Sequence, residues 1–315
     1  MTFVSPFHPS PHQRLMSDIF PHYDPLVRPV QTPEFAVNVS VMLSLYQLLD
    51  VSEAVQSVGI YIWIREYWHD ELIRWNPYNY DGLSEIVVMA SKIWRPDTTL
   101  YNKHVSYFSP ACLQPGGLGL VKNAIITMEP HDLSRSAVTL QYPAIMKFSC
   151  NMILLFFPFD VQNCSIELAS WVFDMSKVNY SLKLDHVELT NFIKSSEFEL
   201  ISFAATRIEK HYSCCVNPYV SLYFHMVIRR KPLFYVINLI IPTFIITCIA
   251  LIGFFFPSHS RGDRKEKVSL GISTLLSMSV FLLMISDKLP TTSDFTPLIS
   301  KCKPANVIES TGQRK

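Results

Sequence analysis

Two cysteine pairs and the aromatic residues near them are where the chain could do chemistry. Cys150 and Cys164 enclose thirteen residues that run Asn-Met-Ile-Leu-Leu-Phe-Phe-Pro-Phe-Asp-Val-Gln-Asn. Joined to each other, they would make a rigid loop with an apolar tip at Phe157-Pro158-Phe159 and one carboxylate, Asp160, offered to a neighbouring surface. An ordinary stapled hairpin is the plainer alternative. Cys214 and Cys215 are adjacent in the chain. Neighbouring Cα atoms stand about 3.8 Å apart, less than the usual disulfide span, so a bond between them would close a strained ring and force an abnormal turn. A redox or metal role competes with that reading, although His211 alone makes a poor metal site. Tyr212 and Tyr219 flank the pair. Aromatic faces hold a protonated or quaternary amine by cation–π attraction, about 2 kcal/mol or more once desolvated. No nucleophile, base and oxyanion-donor set emerges. The residues point to recognition without a cofactor or metal.

A third constellation lies in the apolar segment Val268 to Ile285. Ser269, Ser273, Leu276, Val280 and Met284 recur at three- and four-residue steps and form one stripe on a helix. Glu266 and Asp287 bracket it. In a ring of several copies the hydroxyls would line a wet constriction, Leu276 and Val280 would gate it by dewetting, and the carboxylate rings would favour cations. A plain membrane helix whose serines bond its own backbone is the other reading.

The elements that must position these groups divide the chain. Hydrophobic residues make up 49% of it and the formal net charge is +1, with no basic run long enough to follow a phosphate backbone, so nucleic acid is excluded as a partner. Residues 1–35 are rich in proline and histidine and read as an arm with a short helix near Pro11 to Phe20. Strict alternation begins at Val37, and short half-buried runs follow: Gly59 to Trp68, Glu85 to Ala90, Ala124 to Met128, Ile145 to Phe148, Ser165 to Phe173, Ser181 to Thr190, Phe198 to Thr206 and Tyr219 to Arg229. Many strands at this spacing predict a β-sandwich over 36–230. From 231 to 299 the character is that of membrane, with helices expected at about 232–256 and 268–285 and an aborted third from about 295. Pro242 should loosen the first of these. Residues 300–315 form a divergent tail. The fold class expected is an all-β extracellular sandwich followed by α-helical transmembrane segments. Sequons at Asn38, Asn163 and Asn179, with pairable cysteines, favour an oxidising, extracellular setting for the first two thirds. No signal peptide is visible at the N-terminus.

The Cys-x13-Cys spacing with Phe157-Pro158-Phe159-Asp160 in its second half resembles the signature of the Cys-loop pentameric ligand-gated ion channels. The run Glu266-Lys-Val-Ser-Leu-Gly-Ile-Ser-Thr-Leu-Leu-Ser-Met-Ser-Val-Phe-Leu-Leu resembles the pore helix of nicotinic acetylcholine receptor subunits, and Tyr212-Ser-Cys-Cys-x-x-x-Tyr219 is similar to the loop that caps the agonist site of α-type subunits. The resemblance implies disulfides Cys150–Cys164 and Cys214–Cys215. It implies an agonist cage of Tyr101, Trp171, Tyr212, Cys214, Cys215 and Tyr219, completed by Trp63 from an adjacent subunit. Trp68, Trp75 and Trp94 go to the framework. The cysteine loop is placed at the base of the sandwich beside Arg229 and Lys288-Leu289-Pro290, where Asp160 and Phe159 would pass motion from site to gate. The lack of a Pro-Ala insertion before the pore helix implies a cation pore. Implied partners are acetylcholine or a similar amine, other subunits of a homo- or heteropentamer, and membrane lipid at a plasma membrane, postsynaptic in setting.

Two departures qualify the resemblance. Between Lys103 and Val138 the chain is longer than family members, with an apparent insertion at Ser109 to Leu120. Matching also stops at Ser300, where a third helix should begin. Two readings of the whole therefore stand: a subunit of an acetylcholine-gated cation channel, or a truncated, non-conducting form that binds agonist or modulates assembly of full-length subunits.

Overall fold

A computed structural model of the chain describes residues 9–103, 123–129, 132–255 and 261–286. The opening helix, α1 (Pro11–Ile19), has a reciprocal cap. The Ser10 hydroxyl accepts from the Gln13 N–H, the Gln13 side chain accepts from the Ser10 N–H, and Pro11 fills a position that needs no donor. Leu15 anchors α1 to the sandwich and is fully buried.

Ten strands follow among the described residues: β1 (Val37–Ser52), β2 (Ser57–Asp70), β3 (Glu85–Met89), β4 (Thr98–Leu100), β5 (Asn123–Glu129), β6 (Asp132–Ser149), β7 (Val161–Ser170), β8 (Val178–Leu182), β9 (Phe198–Lys210) and β10 (Tyr219–Arg230). They make a six-stranded sheet in the order β3-β5-β6-β2-β1-β8 and a four-stranded sheet in the order β4-β7-β10-β9. The period of two puts Val37, Val39, Val41, Leu43 and Leu45 of β1 into the core. Leu222, Phe224, Met226 and Ile228 of β10 meet them from the other sheet, each burial stabilising the fold by roughly 1.5–3 kcal/mol. Trp68, Trp75 and Trp94 are buried, with Trp68 and Trp94 edge to face at 5.9 Å. The expected all-β sandwich is the fold.

Two strands differ from their expected extents. The run expected at Ile145 to Phe148 belongs to the much longer β6, despite Pro143 inside it. β5 pairs with β6 only as far as Leu140, while β2 pairs throughout, so among the described residues Pro143 has a ladder partner on one flank only, as suits a residue without an N–H. The run expected over Ser181 to Thr190 ends as a strand at Leu182; beyond it the chain keeps contact with β1 through the Lys183 N–H on the Val41 carbonyl and isolated bridges at Glu188 and Ile193.

The Cys150–Cys164 disulfide joins the end of β6 to β7, and so staples one sheet to the other. Closing a loop of this size contributes about 3 kcal/mol by chain entropy.

Beyond β10 the chain enters helix at once, with α2 (Leu233–Tyr235), a π-helical turn over Val236–Ile240 and α3 (Ile241–Phe255) in unbroken succession. The widened turn immediately precedes Pro242 and makes room for its ring. Leu233–Gly253 is 21 residues long, enough at about 1.5 Å per residue to cross a hydrocarbon core. A last helix, α4 (Arg261–Ser286), begins earlier than the apolar pattern alone predicts, since arginine and lysine are good helix formers. Close approach of α3 and α4 requires Gly253, because a Cβ there would stand 2.2 Å from Leu270 Cδ2. The insertion around Ser109, Cys112, Asp287, the Lys288-Leu289-Pro290 link, Cys302, the third-helix start and the tail lie outside the described residues.

Candidate functional site

Four aromatic side chains converge at one end of the four-stranded sheet. Tyr101 follows β4 and Trp171 follows β7; pairing of Thr98 with Ser170 and Leu100 with Leu168 brings the two rings to 5.6 Å. The Tyr101 hydroxyl donates to the Ser170 carbonyl at 2.8 Å. Trp171 is 67% exposed, an unusual state for tryptophan, and its backbone is fixed from below. Asp97 Oδ2 accepts from the Ser170 hydroxyl at 2.9 Å, the Trp171 N–H at 3.0 Å and the Val172 N–H at 2.8 Å. One carboxylate thus shapes the turn that presents the indole.

Tyr212 in the β9–β10 loop and Tyr219 at the start of β10 close the cluster, edge to face at 5.6 Å. The Tyr101 phenol is pushed above its ordinary range, first by burial and then by the nearby phenols and carboxylates, Tyr212 foremost. The loop tip carries the Cys214–Cys215 disulfide, with Cys214 exposed. Two bonds tether its far side: Met175 N–H to the Pro218 carbonyl at 2.9 Å, and Asn217 Nδ2 to Asp174 Oδ2 at 2.9 Å.

Beneath the cluster, Glu167 of β7 binds both neighbours. Its backbone carbonyl accepts from the Tyr101 N–H at 2.9 Å, and its carboxylate takes the Lys210 ammonium and the Ser221 hydroxyl. Burial alone would raise the Glu167 carboxyl; the bonds from Lys210, Tyr223 and Ser221 outweigh it and hold it below the usual range. Lys210 is the register partner of Tyr219, so this ion pair fastens the base of the aromatic loop to the strand that carries Trp171.

Trp63 lies elsewhere. It is half-buried on the outer face of the six-stranded sheet, opposite Ser44 of β1 and Pro143 of β6, and is not brought to the other aromatics within one chain.

At the opposite end of the sandwich the cysteine loop meets the membrane segment. Asp160 is 2% exposed, whereas Phe159 at the loop tip is 62% exposed. The cation that answers Asp160 is Arg230. Arg229 points outward, 4.0 Å from Glu199, and does not touch Asp160. Arg230, 1% exposed, donates Nε to Asp160 Oδ1 at 2.9 Å, Nη1 to Glu197 Oε1 at 3.3 Å, and Nη2 to Glu53 in the β1–β2 turn. The rings of Phe198, Phe157 and Tyr235 surround it at 4.6, 5.0 and 5.5 Å. Burial disfavours the charge, but the bonds that Arg230 donates to Asp160 and the negative charge of Glu53 more than restore it. Alternation along β10 could have found this residue, because Leu222, Phe224, Met226 and Ile228 face inward and Arg230 continues their parity. Asp97, Glu167, Lys210 and Ser221 gave no such signal, since their contacts depend on register.

On α4, Ser269, Ser273, Leu276 and Val280 share a face that is exposed and turned away from the Leu270 contact with α3. The Ser273 hydroxyl donates to the Leu270 carbonyl at 2.9 Å, as the self-bonded reading expects, and its oxygen keeps acceptor capacity outward. The side chains of Glu266 and Met284 and all of Asp287 lie outside the description. Asn38 and Asn163 are exposed, and Asn179 is half-buried.

Comparison with known proteins adds lineage to this geometry. Residues 12–232 match the neurotransmitter-gated ion-channel ligand binding domain, and residues 239–301 the neurotransmitter-gated ion-channel transmembrane region. The chain is 42% identical over 292 residues to acetylcholine receptor subunit alpha-type des-2 of Caenorhabditis elegans, covering 92% of this chain and 52% of that protein. Acetylcholine receptor subunit alpha-type acr-5 of the same organism is 40% identical, covering 89% and 46%. Neuronal acetylcholine receptor subunit alpha-6 of Homo sapiens is 37% identical, covering 92% and 55%. The chain spans about half the length of the curated relatives it matches.

Proposed function

The chain belongs to the neurotransmitter-gated ion-channel family, receptors and not enzymes, and on that footing we propose that it serves as a subunit of an acetylcholine-gated, cation-selective pentameric channel at a plasma membrane, postsynaptic in setting. The observation that carries the proposal is the convergence of Tyr101, Trp171, Tyr212 and Tyr219 beneath a loop closed by Cys214–Cys215. An ammonium entering that space exchanges water for aromatic faces, and the exposed indole of Trp171 offers the largest of them. Trp63, on the outer face of the other sheet, suits a second wall supplied by the neighbouring subunit.

Agonist drawn against Trp171 pulls the β9–β10 loop inward, and the Glu167–Lys210 pair transmits that pull to β7 and β10. At its far end β10 carries Arg230, which binds the cysteine loop and the β1–β2 turn before the chain enters the membrane. Displacement of Arg230 moves the start of α2, and α4, behind it, turns its Ser269, Ser273, Leu276 and Val280 face at the shared axis. Rings of Glu266 and Asp287 at the two ends select cations.

The test is binding of a labelled quaternary amine at the surface of cells that express the chain together with acetylcholine receptor subunits, with current recorded in parallel. The proposal expects saturable binding and agonist-evoked cation current that Trp171→Ala reduces. Binding and current indifferent to Trp171→Ala would overturn it.

A further inference from the structure

Two of the three sequons are neighbours in space. β1 and β8 run parallel, and their register sets Asn38 opposite Asn179, Val39 opposite Tyr180, and Ser40 opposite Ser181. The sequons Asn38-Val39-Ser40 and Asn179-Tyr180-Ser181 therefore lie side by side, residue for residue. Val39 and Tyr180 are buried, which turns the asparagines and serines to the outer face of the sheet. The two serine hydroxyls are 2.9 Å apart, and Asn179 Nδ2 donates to Asn38 Oδ1 at 3.1 Å.

Arg207 fixes which way both amides point. A guanidinium only donates, so the group 3.1 Å from its Nη2 must be the Asn179 oxygen. Arg207 is itself held, Nε to the Tyr180 carbonyl at 2.8 Å and Nη1 to Glu209 at 2.7 Å. With its oxygen on Arg207, Asn179 turns its nitrogen to Asn38. Asn38 must answer with oxygen, which leaves Asn38 Nδ2 aimed away, without a hydrogen-bond partner among the described residues. Asn38 is exposed and Asn179 half-buried.

We infer that the two sequons make one glycan site, in which Asn38 carries the oligosaccharide and Asn179 stays bare as its support. Transfer from a lipid-diphosphate-linked oligosaccharide breaks the bond between sugar C1 and the diphosphate oxygen and forms a C1–Nδ2 bond, releasing lipid diphosphate and one amide proton. On Asn38 the sugar replaces a hydrogen without a partner, and Oδ1 keeps its bond from Asn179. On Asn179 it attaches to a half-buried nitrogen whose other hydrogen is held on Asn38 Oδ1, so the sugar is crowded against Asn38 where the strands are only about 4.8 Å apart. A sugar there, or one on each asparagine, competes with the Asn38 and Arg207 side chains for the same outer face.

The inference rests on the reading that places the sandwich outside the membrane, and Asn163, exposed on β7, reports on that reading separately. Glycopeptide mass spectrometry of the full chain, taken from the surface of eukaryotic cells, tests both. The expected result is sugar on Asn163 and Asn38 and an unmodified Asn179, with Ser181→Ala leaving the number of glycans unchanged and Ser40→Ala lowering it by one. Sugar on Asn179 in surface protein, alone or with Asn38, overturns the inference. Sugar on Asn163 with Asn38 bare overturns it while sparing the topology; three bare asparagines overturn both.

Discussion

Arg230 closes on Asp160 at the last ladder position of β10, Nε to Oδ1 at 2.9 Å, and both side chains are shut off from water. Asp160 belongs to the disulfide-closed loop, and Arg230 stands three residues before the first membrane helix. A displacement of either is felt by the other, because a buried charge has no water to fall back on.

Removing that cation leaves Asp160 and Glu53 without their partner. Arg230→Gln is expected to cost about 3–5 kcal/mol of stability and to abolish agonist-evoked current. Arg229→Gln, at an exposed position, is expected to stay within about 0.5 kcal/mol and to conduct. Surface yield and current measured side by side check the pair; equal effects of the two substitutions would contradict the assignment.

Asp97 Oδ2 holds three donors of the turn that presents Trp171. Asp97→Ala is expected to cost about 0.5–1.5 kcal/mol by removing three hydrogen bonds to the turn, and to weaken amine binding by letting Trp171 move. Thermal unfolding with binding measured on the same preparation reads both effects.

The Glu167–Lys210 pair gives a pH dependence of known sign. The Glu167 carboxyl is held below its unfolded value near 4.3, so its contribution is full above that pH and is lost as pH falls through the folded value. Lys210 is shifted the other way: burial lowers it, but its bonds to Glu167 and Tyr223 raise it overall, so its contribution persists at neutral pH and fails only in alkali. A permanently charged quaternary amine should therefore bind evenly across the neutral range and weaken in acid below about pH 4. Glu167→Gln should bind more weakly at neutral pH and show a flatter acid limb. Titration of both proteins with the same ligand is the check.

Opening the cysteine loop is expected to destabilise the sandwich. Cys150→Ser with Cys164→Ser should cost about 2–5 kcal/mol, because the bond joins the two sheets. Surface yield at lowered and physiological temperature measures it, and unchanged yield at both would contradict the role given to the bond.

The sandwich is legible because alternation repeats strand after strand, as in Val37 to Leu45, and the cluster of Tyr101, Trp171, Tyr212 and Tyr219 because those residues sit in recognisable local patterns. Arg230 is legible too, by parity, although the resemblance points to Arg229: two adjacent arginines look alike until the inward face of β10 is counted. Contacts between distant strands were not legible. Glu167 finds Lys210, and Asn38 finds Asn179, only through the registers β7·β10·β9 and β1·β8, which no local spacing encodes. The extent of β6 was hidden by Pro143, whose effect depends on where a neighbouring strand stops.

The central claim is that Trp171 recognises positive charge and not merely bulk. The measurement is the affinity of a quaternary amine and of its neutral isostere, with carbon in place of nitrogen, for the chain with Trp171 and for Trp171→Ala. The account predicts that Trp171→Ala weakens the amine by about thirtyfold, the equivalent of about 2 kcal/mol, and the isostere far less. Equal losses for the two ligands would contradict it.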